Sequence, residues 1–270
     1  MMYEFFALTD PGLTRDNNED SVTFDATSGL GVLADGMGGY NAGEVASGMA
    51  TAFIKSELGR WIKATHQLAP LKDVRRAMEI CVSNANRSIY NAANAHAQYA
   101  GMGTTLVVAV FQQDRLILGH IGDSRCYRWR RGNLRQITKD HSLLQEQLDA
   151  GLITAEQMAT SSNKNLVTRA LGVDPHVELD ISEHRVEHGD VYLMCSDGLN
   201  DMVSDSALAL LMQNPSPLAP LATRLIESAN ACGGRDNISV LLVSAVESTQ
   251  QRGLWSRLLG KWPTFAGNGN

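Results

Sequence analysis

The chain has 270 residues, of which 44% are hydrophobic, and this is enough to bury the core of one large domain or two small ones. Its 23 Lys and Arg residues against 29 Asp and Glu residues give a formal charge of −6, which excludes the strongly basic composition of nucleic-acid-binding proteins. The four cysteines are widely spaced, without a CxxC pair or a nearby His cluster, and this argues against a zinc site or a disulfide framework.

The sequence carries no segment that predicts export or a membrane span. The first residues lack the basic and long apolar regions of a signal peptide, and no uninterrupted apolar run reaches transmembrane length. Together with the unpaired cysteines, this predicts a cytoplasmic protein without a transmembrane segment or a nucleic-acid partner.

The first elements in the chain are two short strands on either side of a polar loop. Strands are predicted at residues 5–8 and 21–24, and the loop Gly12–Asp20 between them holds one arginine and several acids. A solvated loop is one interpretation. The other is functional: Arg15 could bind a phosphate bidentately, and the acids could hold metal-bound water.

A glycine-rich stretch follows, and the rest of the chain is organised around it. The apolar run Leu30–Ala34 predicts a buried strand that stops at Asp35. Gly36, Gly38 and Gly39 then allow a tight turn with positive φ, and a helix is predicted from about residue 41 or 43. Asp-Gly is also a common turn dipeptide, so Asp35 alone does not distinguish a metal ligand from a turn residue.

The remaining elements alternate between apolar strands and amphipathic helices, with an exposed polar insertion within residues 138–172. The predicted helices are 74–91, 205–213 with Ser204 as N-cap, and 218–231 with Gly233 as its stop. The predicted strands are 104–111, 115–121, 126–130, 134–137, 177–186, 191–195 and 238–246.

Four aspartates border these buried strands, namely Asp35, Asp123, Asp197 and Asp236, and three of them are next to a glycine. Unrelated turn aspartates could produce this once or twice, whereas four indicate strand ends that converge on a shared carboxylate cluster. Carboxylates packed together repel one another, so the cluster requires cations. Two metal ions held in this way are typical of enzymes that hydrolyse phosphate esters.

The same residues resemble those of a known family, the metal-dependent protein phosphatases of the protein phosphatase 2C type, in a bacterial form. The resemblance extends over nearly all of residues 1–246, with the motifs in family order. These motifs are Arg15-x-x-Asn18-Glu19-Asp20, Asp35-Gly36-Met37-Gly38-Gly39, Gly103-Thr104-Thr105-Leu106, Gly122-Asp123-Ser124-Arg125, Asp140-His141-Ser142, Arg169-Ala170-Leu171-Gly172, Ser196-Asp197-Gly198-Leu199 and Asp236-Asn237. The resemblance implies an α+β fold, a four-layer α-β-β-α sandwich with two central antiparallel sheets and a flap insertion at about residues 143–168.

The resemblance also implies a role for each matching residue of the metal site. Asp35 would bridge two tightly bound Mn²⁺ or Mg²⁺ ions, and the Gly36 carbonyl would ligate one of them. Asp197 and Asp236 would complete the pair, and Asp20 would act directly or through metal-bound water.

Three further residues are assigned by the resemblance. Asp123, with Asp197, would hold a third, weaker metal, and Arg15 would bind the substrate phosphate. Met37 stands where eukaryotic relatives often carry a histidine proposed as general acid. Methionine donates no proton, so metal-bound water or another group would protonate the leaving group. His120 and His141 are interpreted as structural.

The predicted function is therefore hydrolysis of phosphoserine and phosphothreonine in proteins by a metal-bridging hydroxide, with Arg15, Asp35, Asp197 and Asp236 as the catalytic set. The predicted enzyme is a monomer that opposes a bacterial Ser/Thr kinase, acting on that kinase or its targets, in secretion-system or cell-envelope signalling. The alternatives are a phosphatase of sigma-factor regulators and a non-catalytic phosphoprotein-binding module.

The predicted catalytic domain spans residues 1–246, and residues 247–270 form a C-terminal tail. The part of this tail at residues 253–262 is short, basic and apolar on one side. A helix packed on the domain, a frayed terminus and a docking or membrane-surface segment all remain open for it.

Overall fold

The strands of the computed structural model form two antiparallel sheets, and apolar side chains point away from both faces of each sheet. The structure describes residues 1–39, 42–65, 69–161, 166–215 and 217–247. Apart from Glu247, the predicted tail lies outside the described residues. Within these ranges, no helix combines the length and the apolar character needed to cross a bilayer.

The bounds of the elements in chain order are as follows. The strands are β1 (Met2–Asp10), β2 (Asp20–Asp25), β3 (Leu30–Met37), β4 (Gly103–Thr104), β5 (Leu106–Gln112), β6 (Arg115–Ile121), β7 (Arg125–Arg130), β8 (Asn133–Gln136), β9 (Asp180–Arg185), β10 (Val191–Cys195) and β11 (Ile238–Val246). The helices are α1 (Ala42–Ala64), α2 (Leu71–Ala95), α3 (Leu143–Asp149), α4 (Ala155–Thr160), α5 (Asp197–Asn200), α6 (Asp205–Leu211) and α7 (Leu218–Ala231), with a short 3₁₀ turn at Ala97–Tyr99.

Strand order brings the two ends of the domain's sequence together. The first sheet has the order β1-β11-β10-β7-β8, so the first and last described strands are hydrogen-bonded neighbours. The second sheet has the order β2-β3-β5-β6-β9, and β4 pairs with β3 at its end. The strand pairs are antiparallel throughout these orders.

Three buried clusters define the layers of the fold. The first joins α1 and α2 to the outer face of the second sheet, and the second joins α6 and α7 to the outer face of the first sheet. The third lies between the sheets, where Phe111 and Tyr192 meet with ring centroids 5.2 Å apart. Side chains alternate between the two faces of a strand, so each strand contributes to two layers. The predicted four-layer α-β-β-α arrangement is confirmed.

The strongest periodic patterns match the structure closely. The predicted strands 191–195 and 238–246 and the predicted helix 218–231 have the same bounds as β10, β11 and α7. Ser204 caps α6 as expected, since its side chain accepts a hydrogen bond from the Ala207 N–H. The bounds of elements that consist of a long apolar run between turn residues can therefore be predicted from the local sequence.

The prediction for the glycine-rich stretch is wrong in two respects. β3 does not stop at Asp35 but continues through Gly36 to Met37, and of the three glycines only Gly38 has positive φ. Gly36 is required for another reason, because a Cβ there would overlap the carbonyl oxygens of Gly43 and Glu19. A glycine is therefore required at this position because the backbones of α1 and of the loop before β2 pack closely against β3.

The predicted exposed insertion contains two short helices. Ser142 caps α3, and Thr154 forms a capping box with Gln157 at the start of α4. An isolated bridge between Ser142 and Val167 closes the base of the segment. Residues 162–165 of the predicted flap lie outside the described residues, and the flap remains a prediction.

The packing between the sheets generates a stability prediction. Leu118 on β6 is fully buried in this layer, whereas Leu210 on α6 is 65% exposed. We expect Leu118→Ala to lower the free energy of unfolding by about 2–5 kcal/mol, since it leaves a cavity. The matched change Leu210→Ala should stay within about 0.5 kcal/mol. Urea denaturation of the three proteins measures both values, and equal losses would contradict the assigned layers.

Candidate metal centre

Strand register places two of the predicted acids directly opposite each other. Asp20 begins β2 and pairs with Asp35 across the β2–β3 ladder. Like charges in this arrangement destabilise a sheet pair. Asp20 is also buried and Asp35 partly buried, so the arrangement favours a cation between them.

A second close approach brings Asp197 towards Asp236. Asp197 is the first residue of α5, directly after β10, and Asp236 lies just before β11. A Cβ at Gly198 would overlap the carbonyl oxygen of Asn237, so only glycine allows these two backbone segments to lie this close.

Hydrogen bonds hold the acidic loop against this pair of strands. Asn237 donates from Nδ2 to the carbonyl oxygens of Pro11 and Asn17, and its Oδ1 accepts the Glu19 N–H at 2.8 Å. Ser196 Oγ donates to Asp20 Oδ2 at 2.7 Å. The other oxygen, Asp20 Oδ1, is buried and makes no hydrogen bond. A buried carboxylate oxygen without a donor is a suitable ligand for a hard cation.

Asp35 is tied to the β6–β7 connection, which carries Asp123, by two hydroxyl groups. The Asp35 N–H donates to Thr105 Oγ1 at 3.0 Å, and this oxygen lies 2.7 Å from Ser124 Oγ. Gly122 has φ of 98°, and a Cβ there would contact the Thr105 side chain. These contacts position Asp123 relative to Asp35.

The pKa directions show that the acids form one electrostatic cluster. Burial is the largest cause in each case, and it raises the pKa of Asp20 and of Asp123 to about 6. Burial also raises the pKa of Asp35 and of Asp197 well above the usual value. Repulsion from other members adds to this, since Asp20, Asp123, Asp197 and Asp236 all act on Asp35.

Asp201 joins this cluster, and the sequence analysis missed it. It is the C-terminal cap of α5, and its charge raises the pKa of both Asp123 and Asp197. It follows Asp197 by four residues, the spacing that places two side chains on one helix face. Recognising α5 in the sequence would have revealed it.

Arg15 reaches the cluster from the acidic loop. Its Nη2 donates to Asp236 Oδ2 at 2.7 Å, and half of the Arg15 side chain remains exposed. This hydrogen bond, the largest cause, raises the pKa of Arg15. The guanidinium therefore lies at the solvent-facing rim of the cluster.

His120 and His141 stack beside the Asp123 segment, with ring centroids 4.7 Å apart. His141 Nδ1 accepts the Gly122 N–H at 3.1 Å, and His141 Nε2 is 3.0 Å from Asp180 Oδ2. This pattern assigns Nδ1 of His141 as an acceptor and Nε2 as a donor. His120 Nε2 is 2.8 Å from the Lys139 carbonyl oxygen. Both histidines are therefore engaged in hydrogen bonds of the fold, and their interpretation as structural stays a prediction.

The spacing of potential ligand atoms distinguishes the histidine group from the aspartate cluster. Among the described residues, His120, His141 and Asp180 alone supply three ligand atoms within 4.8 Å of one another, and hydrogen bonds already occupy them. The aspartate cluster is wider. Two metal ions about 3.5–4 Å apart would spread its ligands over two centres.

Comparison with known proteins identifies the family of the chain. The family model described as protein phosphatase 2C matches residues 14–242. The chain belongs to the protein phosphatase 2C family. Its predicted enzyme class, a serine/threonine protein phosphatase, and its predicted fold are confirmed by the similarities that follow.

One curated relative and two solved structures illustrate the similarity. The serine/threonine phosphatase stp of Listeria monocytogenes is 37% identical over 238 residues, covering 87% of this chain and 93% of that protein. The catalytic domain of the phosphatase PstP, crystallised in complex with 2 manganese ions, is 40% identical with a TM-score of 0.79, covering 91% of this chain and 99% of that one. PppA, described as a key regulatory component of T6SS in Pseudomonas aeruginosa, is 31% identical with a TM-score of 0.79, covering 91% and 98%.

The raised pKa of Asp20 predicts how the metal-free phosphatase responds to pH. Its folded carboxyl group binds a proton more tightly than the unfolded one, with pKa values of about 6 and 3.8. Stability contributed by this group therefore falls as pH rises from about 4 to 6 and stays lower above it. We expect Asp20→Asn to be more stable than wild type in EDTA at pH 7 by on the order of 3 kcal/mol.

The measurement is thermal or urea unfolding in EDTA across pH 4–7. The stabilising effect of Asp20→Asn should disappear towards pH 4, where the wild-type carboxyl group is protonated. Asp16→Asn, which removes an exposed acid of the same loop, serves as the control. A difference between Asp20→Asn and wild type that does not change with pH would contradict the raised pKa of Asp20.

Proposed function

We propose that this phosphatase hydrolyses phosphoserine and phosphothreonine in proteins with two tightly bound Mn²⁺ or Mg²⁺ ions and a third, weaker one. The observation that carries the proposal is the convergence of Asp20, Asp35, Asp123, Asp197 and Asp236 in one mutually repelling cluster, of which Asp20 and Asp123 are buried and the others partly buried. The manganese complex of the PstP catalytic domain supports the metal assignment.

The donor set fits hard divalent cations. Asp35, Asp197, Asp236 and the Gly36 carbonyl would hold the tight pair, with Asp20 acting directly or through water. Asp123 with Asp197 would hold the third ion, since Asp123 belongs to the cluster but not to the β2–β3 pair. When bound, the ions would neutralise the carboxylates, polarise the phosphoryl oxygens and lower the pKa of water.

The residues of the chain itself position the substrate. Arg15 lies at the rim with one Nη2 donor on Asp236, and its planar fork has further N–H donors for phosphoryl oxygens. Ser196, Thr105 and Asn237 hold Asp20, Asp35 and the acidic loop in place by hydrogen bonds. Preorganised donors and carboxylates of this kind require little rearrangement during the reaction.

The compartment and partners are also proposals. Cys81, Cys126, Cys195 and Cys232 are all unpaired, which supports a reducing cytoplasm. We assign the protein to a Ser/Thr kinase pathway, as a monomer that acts on a cognate kinase or its targets. The similarity to PppA supports a secretion-system role over a cell-envelope role.

The metal assignment predicts the effect of removing one cluster acid. Asp35→Asn should reduce kcat for p-nitrophenyl phosphate by at least about 100-fold in saturating Mn²⁺, because it removes the charge predicted to bridge the pair. Calorimetry should show loss of tight metal binding, and circular dichroism should show a folded protein. Asp73→Asn, in the exposed first turn of α2, is the control. Wild-type activity in Asp35→Asn would refute the proposed metal site.

The rim position of Arg15 predicts a separable effect on substrate binding. Arg15→Ala should raise KM for a phosphothreonine peptide about 10-fold or more, because a phosphate-binding guanidinium is lost. Arg15→Lys should restore only part of the affinity, since it lacks the planar fork. The measurement is steady-state kinetics at fixed metal concentration. If KM is unchanged and metal affinity falls instead, the role of Arg15 is to position Asp236 and not to bind the substrate.

A further inference from the structure

A polar cavity of about 560 Å³ opens at the side of the fold where both sheets end. β8 is the last strand of the first sheet and β9 the last strand of the second, and residues of both strands line the cavity. It contains none of the aspartates assigned to the metal site. Its lining is instead rich in arginine and histidine.

Strand register places two arginines of the cavity directly opposite each other. Arg128 on β7 pairs with Arg135 on β8, so both side chains lie on the same face of the sheet. Cys126 of β7 belongs to the cluster between the sheets, and alternation puts Arg128 on the same side of that strand. Two like charges face each other here at the open end of the layer between the sheets.

Neither of these guanidinium groups has a partner in the described part of the chain. No carboxylate lies within 4.0 Å of Arg128 or Arg135, and neither side chain makes a hydrogen bond there. Arg128 Nε is fully buried and unsatisfied. A buried cationic donor without an acceptor is unfavourable unless a ligand supplies one.

His184 on β9 completes the cationic lining from the opposite sheet. It lies near both arginines, because Arg128 and Arg135, after burial, are the next causes that lower its pKa. Its Nε2 is 2.9 Å from Ser182 Oγ, so a hydroxyl group is present at the same place. Donors from three strands therefore face one another across the cavity.

The other charged groups near the cavity have partners elsewhere or lie apart from this set; Glu183, whose charge raises the pKa of His184, pairs with Arg115. Arg75 pairs with Glu79, and Lys139 pairs with Asp149. Asp180 is held by His141 and Arg169. It lies four residues before His184, about 13 Å along an extended strand. Glu178 is exposed and lies farther from His184 in the chain, before β9 begins.

We propose that Arg128, Arg135 and His184 form a binding site for a tetrahedral phosphate-type oxyanion, separate from the metal centre. Arginine forks match the geometry of phosphoryl oxygens, and a dianion would supply the acceptor that the buried Arg128 Nε lacks and a counter-charge for the exposed Arg135 beside it. The ligand is either inorganic phosphate or a phosphoryl group on a peptide. The site does not depend on the proposed hydrolytic function, since it uses no metal ligand.

The test follows the His184 imidazole by NMR in Mg²⁺-containing buffer, which avoids paramagnetic Mn²⁺. Sodium sulfate is the first probe, because this tetrahedral dianion keeps its charge across the titration, and sodium chloride of equal ionic strength is the control. Sulfate should raise the pKa of His184 by about 0.5 or more, because a nearby anion favours the charged imidazole. No change relative to chloride would overturn the proposal.

The double variant Arg128→Met and Arg135→Met tests the assigned residues. It should fold, since it removes like-charge repulsion, and it should hydrolyse p-nitrophenyl phosphate at the wild-type rate. The pKa of His184 should start higher, because two cations are gone, and sulfate should no longer change it. Arg131→Met, which removes an exposed arginine outside the cavity, should retain the wild-type response. A sulfate effect that survives the double variant would refute the site.

Two further ligands distinguish the source of the anion at fixed pH. Inorganic phosphate is compared with a peptide that carries a non-hydrolysable phosphonate analogue of phosphothreonine. Tighter binding of the peptide assigns the site to a phosphorylated protein segment, and equal or weaker binding assigns it to free phosphate. If the unmodified peptide perturbs His184 as strongly as the phosphonate peptide, the site does not recognise a phosphoryl group, and the proposal is wrong.

Discussion

Repulsion between buried carboxylates is the constraint on which the functional end of this molecule depends. Strand pairing sets Asp20 opposite Asp35, and the packing of α5 against the segment before β11 brings Asp197 towards Asp236. Such a cluster is unfavourable by itself, as the raised pKa values show. The fold supplies the compensating stability elsewhere, in three apolar clusters that share the two sheets. The core thus supplies stability that the repelling carboxylates do not.

Glycines make this crowding possible at two positions. Gly36 and Gly198 each directly follow an aspartate of the cluster in the sequence. At each glycine, backbone atoms of a neighbouring segment occupy the space that a Cβ would need. A hydrogen-bonded frame of Ser196, Asn237 and Thr105 then fixes the backbone on either side. The site residues come from loops and strand ends, whereas the groups that orient them are largely buried. These buried hydrogen-bonding partners restrict the orientation of the site residues.

The charge distribution separates two regions of the protein surface. The proposed metal centre contains the aspartates, while the open side between β8 and β9 contains Arg128, Arg135 and His184. His141 links Gly122 to Asp180 by hydrogen bonds, and His120, which stacks on His141, lines the second region. A phosphorylated ligand would meet cations bound by carboxylates in the first region and the cations of the protein itself in the second. Both regions can therefore bind a phosphoryl group, the first through metal ions and the second through cationic side chains.

The sequence by itself determined the elements with strong local signals. Apolar runs such as Val191–Cys195 specify buried strands, and the acids at the ends of such strands predict the carboxylate cluster. Only the tertiary structure decided why Gly36 is needed and that Arg128 and His184 face one cavity. These facts depend on contacts between residues distant in the chain, and periodicity describes only neighbours along one strand or helix.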